Sequence, residues 1–147
     1  MLTQALKSAP LRNLFAVLLI VGIESVAALP HISNTIKDYR LNSAATAVWE
    51  DMHRAQFMAI RESRTIRVEF DQASYSIIRV ATGEVALTRH LAREYPDISL
   101  VVSESGEGIV FDRTGATEGD SKEIEITGPA GTRSFTILAT GVIGNLP

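Results

Sequence analysis

The feature that most constrains this chain is an apolar N-terminal segment that leads directly into an amphipathic pattern. Residues 14–29 are apolar apart from Glu24 and Ser25, and Pro30 follows. Residues 31–62 contain neither glycine nor proline. A proline inside a helix removes one hydrogen bond and commonly leaves a kink, so it need not end the helix. The pattern therefore predicts one long helix, with a first half suited to lipid and a second half suited to packing on a domain.

The second half of this helix has a clear apolar face. Its apolar side chains recur every three or four residues, which is typical of a helix that packs along one side: Leu41, Ala44, Val48, Met52, Ala55 and Ala59. Tyr39, Trp49 and Phe57 broaden the apolar contribution. The charged side chains are expected to face solvent: Lys37, Asp38, Arg40, Glu50, Asp51, Arg54, Arg61 and Glu62.

The apolar segment is open to three interpretations. With Lys7 and Arg12 before it and small residues at 25–28, it has the order of a secretory signal peptide. As a free-standing membrane anchor it is short, since a span normally needs about 20 apolar residues. As the beginning of a longer helix, it needs no additional length.

Beyond residue 64 the hydrophobic period changes to two. Alternating or β-branched runs, separated by turns rich in glycine, proline and aspartate, predict six or seven strands at 66–70, 75–80, 85–91, 98–102, 109–111, 123–127 and 133–138, with Ile143 as a further short edge. Short strands with regular turn signals indicate antiparallel pairing. The predicted fold class is α+β: a long N-terminal helix, with a membrane half and an amphipathic half, packed on an antiparallel β-rich domain.

Composition and motifs argue against catalysis. The chain has no cysteine and a net charge of −3, which excludes thiol chemistry and gives no general attraction for nucleic acid. His31, His53 and His90 share no spacing, and Glu50-x-x-His53 is half of a carboxylate–histidine metal motif without its second copy. We predict no enzymatic activity, no catalytic residue, no metal site and no cofactor.

Four stretches carry a resemblance to a known family. Residues 54–68 run from a helix rich in small residues and arginine into a strand. Residues 108–117 read Gly-Ile-Val-Phe-Asp-Arg-Thr-Gly-Ala-Thr. Residues 124–133 and 135–141 have the form of a closing hairpin. In this order they resemble the GspH/FimT family of minor pilins and pseudopilins, over nearly the whole chain. The resemblance implies a pilin-like fold and a structural role in a type II secretion system or type IV pilus.

The same resemblance implies a particular N-terminus. The family's Gly-Phe-Thr-Leu-Ile-Glu box is degenerate here: aligned on Gly22 and Pro30, it places prepilin peptidase cleavage between Ser8 and Ala9, and Asn13 where the family has glutamate. Glu24 is then the one acid of the anchor. It lies about 16 Å along the helix from Asn13 and either meets headgroups or a partner helix, or has taken over the glutamate's role.

The implied organisation is a leader at 1–8, a transmembrane assembly segment at 9–30, its amphipathic continuation at 31–63 and an antiparallel β domain at 64–147. The expected partners are other pilin-like subunits, the inner-membrane assembly platform and the prepilin peptidase, and the resemblance also implies methylation. The expected location is the bacterial inner membrane, single-pass, with the C-terminal domain in the periplasm.

Two alternatives remain open. Some FimT-like members bind DNA for uptake through a C-terminal arginine segment, but residues 134–147 carry no charge here, which leaves Arg61, Arg64 and Arg67 as the candidate contacts. Nucleic acid is therefore not the expected partner. If the apolar segment is a signal peptide, the chain is instead a periplasmic β-domain binding protein.

Overall fold

The N-terminal helix is the longest element of the protein. The computed structural model describes residues 9–103 and 108–146, and for residues 9–33 the backbone alone. Helix α1 spans Ala9–Glu62, a range that includes Pro30. Two compact units are present: residues 1–36, which are helical from Ala9, and residues 37–147, which contain the rest of α1 and all the strands.

In the described residues after α1 there are seven strands and one short helix. They are β1 Ile66–Asp71, β2 Ser74–Arg79, β3 Glu84–His90, α2 Leu91–Glu94, β4 Ser99–Val102, β5 Ile109–Phe111, β6 Lys122–Gly128 and β7 Gly131–Ile137. Every pair is antiparallel. The predicted α+β class, with an N-terminal helix on antiparallel β structure, is confirmed.

The strands form two sheets, a division that the sequence pattern does not reveal. One sheet has the order β3-β2-β1-β5, and the other has the order β4-β6-β7. The pairs β1–β5 and β4–β6 join segments far apart in the chain, so no local signal predicts them. The pattern also extended the third strand to Leu91, whereas Leu91 begins α2 and is fully buried. Its run Leu-Ala-Arg-Glu consists of good helix formers.

The core lies between α1 and the sheets. All six residues of the predicted apolar face of α1 are fully buried, and Ala45 joins them. The strands contribute alternate residues to the same cluster, chiefly isoleucines with Tyr75, Phe111 and Phe135. Small alanines on α1 bring the helix backbone close to the sheets, so large strand side chains can fill the space between them.

Helix α1 ends in a Schellman motif. The N–H of Arg64 donates to Ala59 O (3.1 Å) and that of Ser63 donates to Ile60 O (3.2 Å). Ser63 takes the left-handed position at φ 50°, which glycine occupies without strain. This tight end turns the chain directly into β1.

Candidate functional site

A buried charge cluster fastens α1 to the larger sheet. The Asp51 carboxylate accepts hydrogen bonds at one oxygen from Tyr75 Oη (2.7 Å) and Arg89 Nε (2.7 Å). Its other oxygen lies 3.6 Å from Arg54 Nη1, and only 3% of the side chain is exposed. On its outer side Arg89 also pairs with Glu94 at 2.8 Å. The prediction that Asp51 faces solvent is wrong, because its spacing from Val48 and Ala55 places it on the buried face.

The electrostatics of this cluster are those of a structural contact that holds α1 on the sheet. Burial, together with the hydrogen bond to Asp51, raises the pKa of Tyr75 far above its ordinary value. The hydrogen bond to Asp51 likewise raises the pKa of Arg89. Tyr75 therefore stays neutral and Arg89 stays charged throughout the physiological range. Neither group is poised to transfer a proton, and the cluster serves to orient α1.

The three candidate DNA-contact arginines lie around the end of α1. Arg61 is exposed, with Nη2 3.7 Å from Glu62. Arg67 lies on β1 with Nη1 3.5 Å from Glu69, and its buried Nε has no hydrogen-bond partner within the described residues. Arg64 is exposed in the turn between them. Because two of the three guanidinium groups have carboxylate neighbours, the arrangement gives no specific support to a nucleic-acid interface.

A second ion pair lies beside these arginines. Glu62 receives two hydrogen bonds from Arg79 of β2, at 2.8 and 3.1 Å. These bonds hold the pKa of the Glu62 carboxyl below its ordinary value and raise the pKa of Arg79. Glu62 was predicted to be solvated, yet it is half-buried and ties the end of α1 to the sheet.

The glycine-bearing turn at 108–117 docks onto α1. Gly115 has φ 85°, and a Cβ there would lie 2.7 Å from Ile60 Cδ1. Asp112 Oδ1 accepts from the Thr114 hydroxyl (2.6 Å) and from the N–H groups of Thr114 and Ala116 (2.7 and 3.1 Å). These hydrogen bonds lower the pKa of the Asp112 carboxyl, and the bond from the Thr114 hydroxyl contributes most. The turn's polar groups are thus used internally, which explains why glycine and aspartate stand there.

Two polar side chains of α1 hold the C-terminal region. Gln56 Nε2 donates to Gly115 O (2.8 Å) and Gly141 O (2.6 Å), and Trp49 Nε1 donates to Gly144 O (2.8 Å). The His53 ring contacts Trp49 in a tilted arrangement, with ring centroids 4.1 Å apart and an interplanar angle of 51°. The apolar tail is therefore folded back onto the domain. Sequence reasoning did not identify Gln56, because a lone glutamine at this position carries no periodic signal.

Helix α1 also presents apolar side chains to solvent. Tyr39 is 72% exposed and Phe57 is 69% exposed, with Ile36 and Ile60 exposed to a lesser degree. Tyr39 and Phe57 lie about five helical turns apart and therefore on the same line of the helix. Tyr39 and Phe57 are therefore the candidate contact residues on this exposed line of the helix.

The predicted assembly residues fall outside what can be described in side-chain detail. Asn13, Gly22, Glu24 and Pro30 lie within the span of α1, Ala9 is its first residue, and Ser8 lies outside the described residues. Within the described part of the chain, no helix is both long and apolar enough to cross a membrane. No group of three or more potential metal ligands is found among those same residues.

Comparisons with known proteins agree on one relationship. Residues 44–141 match the family model described as type II transport protein GspH. A search of curated proteins gives no significant match. The type IV minor pilin FimU of Pseudomonas aeruginosa is similar in structure, with a TM-score of 0.61 at 18% identity, over 76% of this chain and 95% of that one. The minor pseudopilin EpsH from the type 2 secretion system of Vibrio cholerae gives a TM-score of 0.59 at 12% identity, over 74% and 96%.

Proposed function

This chain belongs to the GspH family, whose members are minor pseudopilin or pilin subunits of type II secretion or type IV pilus systems, and we propose that it joins its assembly through α1. The family is structural rather than catalytic. We propose the same for this chain, whose role is that of a structural subunit in a filament. Family members assemble with other pilin-like subunits. The finer proposals concern how this chain is anchored and what it contacts.

The observation that supports assembly through α1 is the exposure of apolar side chains on a helix that is otherwise packed. One side is fully buried from Leu41 to Ala59, whereas Phe57 on the other side and Tyr39 just before the buried stretch are exposed. Within the same unit as the strands, residues 37–40 of α1 are all exposed. The domain therefore leaves this part of α1 available to neighbouring subunits.

We further propose that residues 9–30 anchor the chain in the inner membrane, with the β domain in the periplasm. Prepilin peptidase would cut between Ser8 and Ala9, and the assembly platform would receive the mature chain. Asn13 is neutral and cannot offset a neighbour's N-terminal ammonium, and unpaired buried charge is costly. A rare or terminal position in the filament therefore fits this chain better than a repeated one.

Site-specific photocrosslinking in intact cells tests the contact surface. A photoreactive residue at Tyr39 or Phe57 is expected to give adducts with other pilin-like subunits. The same residue at Thr82, exposed in the turn between β2 and β3, is the matched control and is expected to give few. Adducts at Thr82 with none at the two α1 positions would overturn the proposed contact surface.

The Glu24→Gln variant tests whether this acid contacts a partner helix. If Glu24 contacts a partner helix, membrane-extracted protein with this substitution recovers fewer partner subunits, although the amount of protein in the membrane is unchanged. Equal partner recovery would remove any special role for this acid.

The DNA alternative predicts a salt-sensitive gel shift that neutral substitution of Arg61, Arg64 and Arg67 abolishes. Absence of a shift at low salt would exclude it.

A further inference from the structure

Three cationic side chains lie around the end of the domain at which α1 enters it. Lys37 and Arg40 are exposed on α1, just before Leu41, where the fully buried face begins. Arg133 of β7 donates from Nε to Asn42 Oδ1 at 3.0 Å, so its guanidinium lies beside the same part of α1. Lys37, Arg40 and Arg133 are here called the basal collar.

The basal collar has no carboxylate partner within the part of the chain whose side chains are described. Elsewhere in the domain ion pairs are common, and five arginines have such a partner: Arg54, Arg61, Arg67, Arg79 and Arg89. Two exposed acids lie at the same end as the collar. One is Asp38 on α1, and the other is Asp97, whose backbone oxygen borders Gly128 together with the Leu41 side chain. The three cations and these two carboxylates together carry a net charge of +1.

The proposed membrane anchor, residues 9–30, ends close to the collar along α1. Pro30 precedes Lys37 by seven residues and Arg40 by ten, which along a helix are about 10 and 15 Å. The polar headgroup layer on each side of a bilayer is about 5 to 7 Å thick. Helical Cα–Cβ bonds tilt toward the N-terminus, so both side chains lean toward the anchor. Their charged ends can therefore approach the headgroups.

We propose that the basal collar binds anionic phospholipid headgroups and so holds the domain against the membrane surface before assembly. The inference rests on the proposed anchor, which fixes the distance along the chain between the collar and the bilayer. Charge complementarity is the argument for this occupant, because cations are attracted to an anionic lipid surface over one Debye length, about 10 Å. Long lysine and arginine side chains place their charged ends in the polar layer of such an interface.

Energy transfer from Trp49, the only tryptophan, tests this contact. The full-length protein is reconstituted in vesicles of phosphatidylethanolamine, with or without phosphatidylglycerol, that contain a small fraction of lipid with a dansyl headgroup. Transfer from Trp49 to dansyl should be higher with phosphatidylglycerol, because the domain then lies closer to the headgroups. Raising the salt from about 0.1 M to about 1 M should remove the difference, because the Debye length falls to about 3 Å. Equal transfer in the two kinds of vesicle at the lower salt would overturn the proposal.

Two double variants with the same change of charge test which cations are responsible. Lys37→Gln/Arg40→Gln removes the two helix cations of the collar and should lose the rise in transfer that phosphatidylglycerol gives. Arg64→Gln/Arg113→Gln is the matched control, since both arginines are exposed near the other end of this part of α1. The control should keep the rise. An equal response of the two variants would contradict the assignment of the collar as the lipid contact.

Flotation of the same vesicles separates this proposal from the proposed anchor. The original protein and both variants should float with the vesicles whatever the lipid charge, because residues 9–30 hold them there. Protein that does not float would overturn the anchor and the collar with it, whereas protein that floats without a lipid-dependent change in transfer overturns the collar alone. If Lys37→Gln/Arg40→Gln lowers the recovery of pilin-like subunits from membranes and leaves transfer unchanged, the collar contacts protein and the lipid occupant is wrong.

Discussion

Replacing Arg89 by methionine should cost about 3 kcal/mol of unfolding free energy, because it leaves the Asp51 carboxylate buried without its closest cation. Arg89 Nε and Tyr75 Oη share one oxygen of that carboxylate at 2.7 Å each, whereas Arg54 approaches the other only to 3.6 Å and is largely exposed. What remains after the substitution is one neutral donor and a weak, solvated ion pair. Tyr75→Phe, which keeps Arg89, should cost about 2 kcal/mol.

Replacing the whole cluster gives the sharpest comparison. Asp51→Leu/Tyr75→Phe/Arg89→Met removes the buried charge with both of its partners, so its stability should lie within about 1 kcal/mol of the original or exceed it. Glu94→Gln is the matched control. It breaks only the outer, exposed pair of Arg89 and should cost less than about 0.5 kcal/mol.

The assay is urea unfolding of the full-length protein in a mild detergent. Trp49 is the only tryptophan and lies on α1, so its fluorescence follows the helix–sheet unit. Arg89→Met costing no more than Glu94→Gln would refute the claim that this cluster holds a buried charge. A triple variant as unstable as Arg89→Met would refute the claim that the loss comes from the stranded carboxylate.

Three further substitutions give expected outcomes by the same unfolding assay. Gly141→Ala should cost about 2 kcal/mol more than Gly119→Ala, since both glycines have positive φ but only the first would drive a Cβ against the backbone oxygen of Gly115; equal costs would contradict the close packing of these two turns. Ser63→Gly should stabilise by about 1 kcal/mol by relieving the left-handed strain at the helix end, whereas Ser63→Ala should not; no gain would argue against the Schellman end. Arg79 lowers the pKa of Glu62, so the stability that this carboxylate gives the folded protein is fully present above the ordinary pKa of 4.5. That stability is lost as the pH falls through the pKa of the folded state. Glu62→Gln should therefore flatten the loss of stability below pH 4.5, whereas Glu50→Gln, at an exposed position, should not.

The sequence was most informative where one local pattern decides the outcome. Apolar spacing on α1 identified Leu41, Val48 and Met52 as core residues, and the structure buries all three. Alternation and turn residues located the seven strands, because side-chain period and turn chemistry are properties of neighbouring residues.

What the sequence could not reveal depends on long-range pairing. The bonds of Asp51 to Tyr75 and Arg89 join three elements, and those of Gln56 to Gly115 and Gly141 span most of the domain. The predicted exposure of Asp51 could have been questioned from the sequence, because its spacing matches that of the buried face. The split into two sheets has no such signal, because nothing local distinguishes β4 pairing with β6 from pairing with another strand.

The central claim is that this is a minor pilin-like subunit held by a processed N-terminal helix, and the mature N-terminus tests it most directly. Intact mass and N-terminal sequencing would be carried out on protein extracted from membranes of cells that contain a prepilin peptidase. We predict a chain that begins at Ala9, after cleavage behind Ser8. A chain that begins at Ala28 or Leu29 would contradict it, because a signal peptidase would then have removed the anchor.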